Sequence, residues 1–185
     1  MTLGEAKDKV YMLLDEHSAG GAVEHDADIE RKMTAFFDTA QKQLAQIKRI
    51  PREYVFRPVR EKREYAMPRD FSVLRRVWAD GRNVTLALRW AGDRLIVPAG
   101  FAREISVEYF AHPETIPADA PDGYEFEIAP DACECMPYYV AAQHLLPDLV
   151  TDYGAMLKMY ENAVENLHTA PPGQSRRVTL SLWGA

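Results

Sequence analysis

Long hydrophobic runs are missing from this sequence. It contains no stretch of about 18 apolar residues, so we expect no membrane-spanning helix. The first residues include acidic side chains and no apolar run, which argues against a signal peptide at this position. We therefore expect a protein that is made and used in a cytoplasm and has no membrane partner.

Cysteine is scarce, since Cys133 and Cys135 are the only two in 185 residues. Their spacing is too short for a metal-binding CxxC pair, and two thiols do not build a disulfide framework. We interpret them as small, partly buried apolar side chains in a reducing compartment.

Signatures of catalysis are also missing. The sequence has no GxSxG nucleophile elbow, no P-loop and no dinucleotide-binding fingerprint. Its five histidines are scattered, and none has another histidine or cysteine at zinc-binding spacing. Glu125 and Glu127 share one face of an extended stretch, but a solvated face explains them better than acid–base catalysis. The prediction is a protein with no catalytic residues, no metal site and no cofactor.

The chain also lacks the basic excess that nucleic-acid-binding proteins usually have. Its 28 acidic side chains outnumber 22 basic ones, which gives a formal net charge of -6. Because phosphate neutralisation supplies most of the affinity of free nucleic-acid binders, this balance argues against a dedicated DNA-binding module. It is compatible with a surface past which DNA slides without binding.

Helical periodicity is clearest between Asp26 and Lys48. The apolar residues there recur at steps of three and four, as on one face of a helix: Ile29, Met33, Phe36, Phe37, Ala40, Leu44 and Ile47. Thr2 and Glu5 fit a capping box that begins an earlier helix, which we expect to reach about His17. The two helices predict a helical hairpin over residues 1–50.

After Pro51 the period changes to that of short strands. Asp80-Gly81 is a strong signal for a type I′ hairpin turn. The next segment, Asn83 to Trp90, alternates and predicts one continuous strand, with Leu86 among the side chains of its apolar face. Several short strands in succession predict a small antiparallel sheet or open barrel over residues 51–128.

Helical patterns return after this β segment. Pro130 suits the first turn of a third helix that we expect to run to about Leu146. Apolar spacing from Leu149 to Leu167 predicts a fourth. The predicted fold is therefore α+β: a four-helix body of two helical hairpins (residues 1–50 and 129–168), an inserted antiparallel β subdomain (51–128) and an extended C-terminal tail (169–185).

A basic cluster interleaved with aromatic residues lies near the start of the β segment. Its cations are Arg57, Arg60, Lys62 and Arg63, and the nearby aromatic residues are Tyr54, Phe56 and Tyr65. One interpretation is a ribbon that contacts phosphate, as single-stranded nucleic-acid binders have. The other, which the overall acidity favours, is an ordinary hairpin whose charges face water.

The ordered combination of segments resembles phage head-to-tail connector or adaptor proteins. The residues that carry the resemblance are spread over most of the chain: Leu3-Gly4-Glu5, Gln43 to Pro51, Tyr65 to Phe71 with its Pro-x-Asp-Phe turn, Val107 to Pro113, Pro137 to Leu146, and Met159-Tyr160-Glu161. None of these motifs is specific alone. The resemblance depends on their order along the chain, with a β insertion between helical hairpins.

The resemblance implies a virion structural protein without catalysis. Such proteins assemble in the host bacterial cytoplasm as a ring on the portal protein, often of twelve copies. In the virion neck the ring extends the DNA channel and meets a stopper or tail protein below, while DNA passes through without specific binding. Two alternatives stay open: a stopper or tail-completion protein of the same neck, and a nucleic-acid-binding regulatory module that uses the cluster between Tyr54 and Tyr65.

Two groups of residues are the predicted assembly sites. The tail alternates polar and apolar residues like a strand, which suits addition to the sheet edge of the portal or a neighbouring copy. Its expected docking residues are Arg176, Arg177, Val178, Leu180, Leu182 and Trp183. A disordered terminus is the alternative. On the polar face of the second helix, Asp38 and Lys42 are the predicted ring-interface residues.

Overall fold

The computed structural model describes residues 1–17, 27–101, 103–145 and 151–169, and it has a mixed α+β fold. The helices are α1 (Leu3–His17), α2 (Ala27–Ile47), α3 (Pro130–Cys133), α4 (Met136–Leu145) and α5 (Thr151–Thr169). The strands are β1 (Ile50–Phe56), β2 (Glu64–Ala66), β3 (Phe71–Ala79), β4 (Arg82–Asn83), β5 (Arg89–Ala91), β6 (Arg94–Ile96) and β7 (Ile105–Ala111).

The capping box at the start of α1 is confirmed. The Thr2 backbone N–H donates to Glu5 Oε2 at 2.8 Å, and the Glu5 N–H donates to Thr2 Oγ1 at 3.3 Å. These two bonds satisfy N–H groups that have no partner inside the helix. A residue outside the helix also binds the first turn, since the Leu3 N–H donates to the Tyr124 carbonyl at 2.8 Å.

The apolar stripe of α2 is confirmed as a core element. The side chains of Met33, Phe37, Ala40 and Leu44 are fully buried. Among the described helices α2 packs chiefly on α4, which also contacts α1 and α5, whereas α1 and α2 touch each other little. The helical core is therefore assembled around α4.

The prediction of one continuous helix from Pro130 to Leu146 is wrong. The chain forms one helical turn, α3, and restarts as α4 at Met136. Pro137 explains the break, because in a continuous helix its ring would clash with the carbonyl of Cys133 and it has no N–H to donate there. At the second position of α4 no such N–H is needed.

The predicted antiparallel pairing is confirmed, in two sheets. Their strand orders are β1-β7-β3-β4 and β2-β6-β5. The first and last strands pair with each other, Ile50 opposite Ala111, so the β segment leaves and rejoins the helices at one place. Since β1 lies at a sheet edge, it tolerates Pro51, which has no N–H to give. Both sheets contribute to a second hydrophobic core that includes Tyr65, Leu95 and Val107.

The hairpin turn at Asp80-Gly81 is confirmed by positive φ angles of 46° and 78°. The prediction of a single strand from Asn83 to Trp90 is wrong, because residues 85–87 form a turn and Leu86 is fully exposed. The Thr85 N–H donates to Asn83 Oδ1 at 3.1 Å, and the Thr85 hydroxyl accepts the Val77 N–H at 2.9 Å. These side chains take over backbone bonds that a strand would have made.

Residues 112–128 return along the helices. Ile116, Phe126 and Ile128 are buried in the helical core, and the Phe126 ring lies 5.7 Å from that of Phe37, centroid to centroid. This return segment positions the polar site described next, because it lies between the sheet and α2.

Candidate functional site

Asp70 lies in the turn before β3 and accepts hydrogen bonds from two strands. Arg52 Nη1 of β1 donates to Asp70 Oδ2 at 2.7 Å, and the Tyr109 hydroxyl of β7 lies 3.1 and 3.2 Å from the two carboxylate oxygens. The Asp70 backbone carbonyl also accepts the His112 N–H at 2.7 Å. One aspartate thus fixes the end of the four-stranded sheet where the chain returns to the helices.

The same arginine reaches the return segment. Arg52 Nη2 donates to Glu127 Oε2 at 3.0 Å, and that oxygen also accepts the Glu114 N–H at 3.2 Å. On α2, the fully buried Gln41 accepts the Glu127 N–H at 2.9 Å and donates to the Glu114 carbonyl at 3.2 Å. We call Arg52, Asp70, Tyr109, Glu127 and Gln41 the junction, because their bonds connect the sheet to the helices.

The surroundings of the junction raise the pKa values of Arg52 and Tyr109. Burial alone would lower the pKa of Arg52, but the carboxylates of Glu127 and Asp70 raise it above its ordinary value. Burial and the hydrogen bond to Asp70 raise the pKa of the Tyr109 phenol. The guanidinium therefore stays charged and the phenol stays protonated at neutral pH, so the hydrogen bonds of Arg52 and Tyr109 to Asp70 persist there.

Three segments that carry the family resemblance meet at this place. Ala111 pairs with Ile50 on one side and with Phe71 on the other. The end of α2, the Pro-x-Asp-Phe turn and the end of β7 are thus adjacent, although they are far apart in the sequence. The turn needs aspartate here because its carboxylate joins Arg52 to Tyr109.

Asp38 and Lys42, the predicted ring-interface residues, already have partners in their own chain. Lys42 Nζ lies 2.7 Å from Asp38 Oδ2 and 2.9 Å from Thr115 Oγ1. Asp38 Oδ1 accepts the Ile116 N–H at 3.0 Å, and its side chain is 16% exposed. Both residues hold the return segment against α2, so reversing their charges would disturb the monomer as well as an interface.

The structure brings the predicted basic cluster together on the loop between β1 and β2, residues 57–63, which we call the basic loop. Tyr65 anchors it: its phenol oxygen accepts the Val59 N–H at 2.7 Å and donates to the Lys62 carbonyl at 3.0 Å. Val59 at the loop surface is 61% exposed. The basic loop is therefore held in shape while its cations and one apolar side chain face outward.

The aromatic residues beside this loop are turned inward. The Phe56 ring stacks on Tyr65 with centroids 4.5 Å apart and on Tyr54 at 5.3 Å. All three belong to or pack against the second core. Their faces are therefore occupied by each other, and the base-stacking platform that a single-stranded nucleic-acid binder needs is not formed here.

Sequence reasoning missed a second charged surface, on the other face of β1. A groove of about 350 Å³ is lined by residues that we together call the acidic groove: Glu53, Trp78, Asp80, Gly81, Glu104, Ser106 and Glu108. Trp78 Nε1 donates to Glu108 Oε1 at 2.8 Å, which fixes one side of it. The alternating polar residues in and just before β7, Glu104, Ser106 and Glu108, were visible in the sequence. Glu53 and Asp80 join it only through strand pairing.

The two cysteines are buried in the helical core, as expected, at 2% and 3% exposure. Burial raises the pKa of the Cys133 thiol from an ordinary 9.0 to about 11. Burial, with the nearby carboxylate of Asp131, does the same for Cys135. Both thiols are therefore protonated and shielded at neutral pH, which makes them poor nucleophiles.

These raised pKa values predict a loss of stability in alkali. Between about pH 9 and pH 11 the unfolded chain releases thiol protons that the folded chain retains, so unfolding becomes more favourable as the pH rises. We expect the free energy of unfolding to fall by about 1 to 2 kcal/mol per thiol over this window, given about 1.4 kcal/mol per pKa unit. Urea unfolding at successive pH values measures it.

The double variant Cys133→Ala, Cys135→Ala is the control for this experiment. Its free energy of unfolding should fall less steeply with rising pH, because only groups such as Tyr160, whose pKa burial raises to about 12, still contribute. Equal slopes for the variant and the original chain would show that the thiols are not the cause.

The predicted docking residues Arg176 to Trp183 lie outside the described residues. Within the part of the chain that the structure describes, no helix is long and apolar enough to cross a membrane, and no three acidic, histidine or cysteine side chains are grouped as metal ligands. Comparison of the sequence with protein-family models and with curated proteins finds no match for this chain.

Proposed function

We propose that this chain is a subunit of a phage head-to-tail connector ring. In this role it is a virion structural protein without catalysis, assembled in the host bacterial cytoplasm and placed in the neck below the portal. One observation supports it above the others. Segments on which the resemblance rests, dispersed in the sequence, converge at the junction around Asp70, where the β segment joins the helices.

The proposed architecture has two helical hairpins, α1 with α2 and α4 with α5, that together form the wall of the ring. The inserted β segment projects from it, and the tail of residues 169–185 extends to dock on the portal or a neighbouring copy. The packing of α4 against α1, α2 and α5 supports a single helical body. The junction supports a fixed angle between this body and the sheets, which an assembly with a defined channel requires.

The proposed ring, of twelve copies, surrounds DNA without binding it specifically. The net charge of -6 supports this, because an acidic lumen repels phosphate. The inward-turned rings of Tyr54, Phe56 and Tyr65 support it too, since they offer no stacking surface. Below the ring, a stopper or tail protein is the proposed next partner.

Co-purification with the portal protein encoded in the same genome tests the proposal. The tagged portal should retain the full chain, and a chain shortened after residue 173 should be retained more weakly. A gene neighbourhood without a portal gene, or no retention at any salt concentration, would refute it. Tight, steeply salt-dependent binding of duplex DNA by the isolated chain would instead favour a nucleic-acid-binding module.

A further inference from the structure

The basic loop and the acidic groove each carry more charge of one sign than contacts within the chain offset. In the groove, Glu108 accepts a hydrogen bond from Trp78 and lies 3.8 Å from Arg75, and Asp80 Oδ1 accepts the Arg103 and Glu104 N–H groups. The loop carries four cations, Arg57, Arg60, Lys62 and Arg63, against the single carboxylate of Glu61. The groove carries four carboxylates, from Glu53, Asp80, Glu104 and Glu108. Arg57 lies 3.8 Å from Glu104, but its side chain is 84% exposed, so this ion pair is worth little.

The acidic groove lies on the outer face of the sheet, and Arg57, the first residue of the basic loop, lies beside it there. Along β1, Arg52, Tyr54 and Phe56 are half-buried, while Glu53 and Val55 are exposed and face the other way. The basic loop is tied through Tyr65 to Phe56 on the inner face. The acidic groove is on the outer face with Glu53. Arg60 and Arg63, farther along the loop, have no ion-pair partner among the described residues, so they are available to the groove of another copy.

Apolar side chains accompany the charges on both sides. Val59, 61% exposed, projects from the basic loop. Val55, 49% exposed, pairs in register with Ser106 of the acidic groove, and the Trp78 side chain lines the groove itself. Small apolar contacts surrounded by opposite charges are the composition of a modest protein–protein interface.

We infer that the basic loop of one copy of this chain binds the acidic groove of the next. We assign the partner of the acidic groove to a second copy because the basic loop, with the complementary charge, is present on the same chain. Duplex DNA fits less well, since the chain as a whole is acidic and its aromatic rings are turned inward. Two different surfaces that meet head to tail generate a ring or a filament, so this contact rests on the proposed ring and names its interface.

The loop is suited to this contact because it is preorganised. The Tyr65 phenol binds main-chain atoms of Val59 and Lys62, and the Lys62 ammonium lies 5.0 Å from the centre of the Tyr65 ring. Binding therefore immobilises few additional groups, which lowers the entropic cost of association.

Charge reversal in two variants tests the inference. The acid-reversed variant carries Glu53→Lys and Glu104→Lys, and the base-reversed variant carries Arg60→Glu and Arg63→Glu. Each alone places like charges against each other between copies, so its self-association constant should weaken at least about tenfold at low salt. A mixture of the two variants should associate as tightly as the original chain, because each supplies the complement of the other.

A matched control reverses two exposed carboxylates on α5, with Glu161→Lys and Glu165→Lys. It changes the net charge as much as the acid-reversed variant does and should associate normally. Sedimentation velocity at chain concentrations up to about 1 mM measures the self-association constants of the original chain, the two charge-reversed variants and the α5 control. The same measurement is made on the mixture and on a chain shortened after residue 173, and circular dichroism verifies that each protein is folded.

Several outcomes would overturn the contact. These are an original chain that stays monomeric throughout, a mixture that associates no better than its components, and self-association that needs the tail but not the basic loop. Loss of duplex DNA binding in the base-reversed variant, with normal self-association, would assign the loop to DNA. The proposed function fails separately: rings on the portal that ignore charge reversal overturn only the contact, whereas intact self-association without portal binding overturns only the function.

Discussion

Replacing Phe37 with alanine is expected to lower the free energy of unfolding by about 3 to 5 kcal/mol. Phe37 is fully buried on α2, and its ring centroid lies 5.7 Å from that of Phe126 in the return segment. The substitution loses the transfer free energy of the ring and leaves a cavity that its neighbours fill only partly. Urea denaturation followed by circular dichroism measures the change.

The control is Leu86→Ala, which removes a fully exposed side chain of similar apolar character. It should change the free energy of unfolding by no more than about 0.5 kcal/mol. Because a domain of this size has a total stability of only about 5 to 15 kcal/mol, the Phe37 variant should be visibly destabilised. Equal effects of the two substitutions would mean that the α2 stripe is not the core of the helical body.

The second large effect is expected at the junction. Asp70→Ala should lower the free energy of unfolding by about 2 to 3 kcal/mol, because it leaves Arg52 and Tyr109 without a shared acceptor. The Asp70 side chain is 17% exposed and that of Arg52 is 34% exposed, so solvent screens part of the loss. The same substitution should speed proteolysis in the return segment, which the network holds against the sheet.

Glu64→Ala is the matched control for the Asp70→Ala substitution. It also removes a carboxylate from an arginine, since Arg94 Nη1 lies 3.1 Å from Glu64 Oε2, but both side chains are more than half exposed. An exposed pair of this kind contributes about 0 to 1 kcal/mol. If Asp70→Ala cost no more than Glu64→Ala, the junction would not hold the two parts of the fold together.

Local patterns made the secondary structure predictable where nothing competed with them. The α2 stripe and the capping box depend on spacings of three and four residues, and both are found as expected. The two failures have local chemical causes that outweighed periodicity. Pro137 divides the third helix, and the side chains of Asn83 and Thr85 bind main-chain groups where a strand was expected.

The junction and the acidic groove were beyond sequence reasoning because their members are far apart in the chain. Arg52 is 18 residues from Asp70 and 75 from Glu127, and only the pairing of the strands and the packing of the return segment bring them together. Asp70 was noticed in a motif, but its partners were not. The basic loop was found because its four cations lie within seven residues, whereas Glu53 and Asp80 were recognised as part of the acidic groove only in three dimensions.

The acidic groove also revises the interpretation of α2. The predicted interface pair Asp38 and Lys42 holds the return segment, and this leaves less of the α2 surface free for a neighbouring copy. The charged surfaces on the β segment are the stronger basis for contact between copies. α2 supports the helical core and, through Gln41, fixes the position of the return segment.

Electron microscopy of the chain mixed with purified portal rings is the decisive test of the proposed connector ring. We expect a second ring of density, coaxial with the portal channel and absent from portal alone, that disappears when the chain is shortened after residue 173. Portal rings that gain no density at saturating chain concentration would contradict the claim that this protein is a head-to-tail connector.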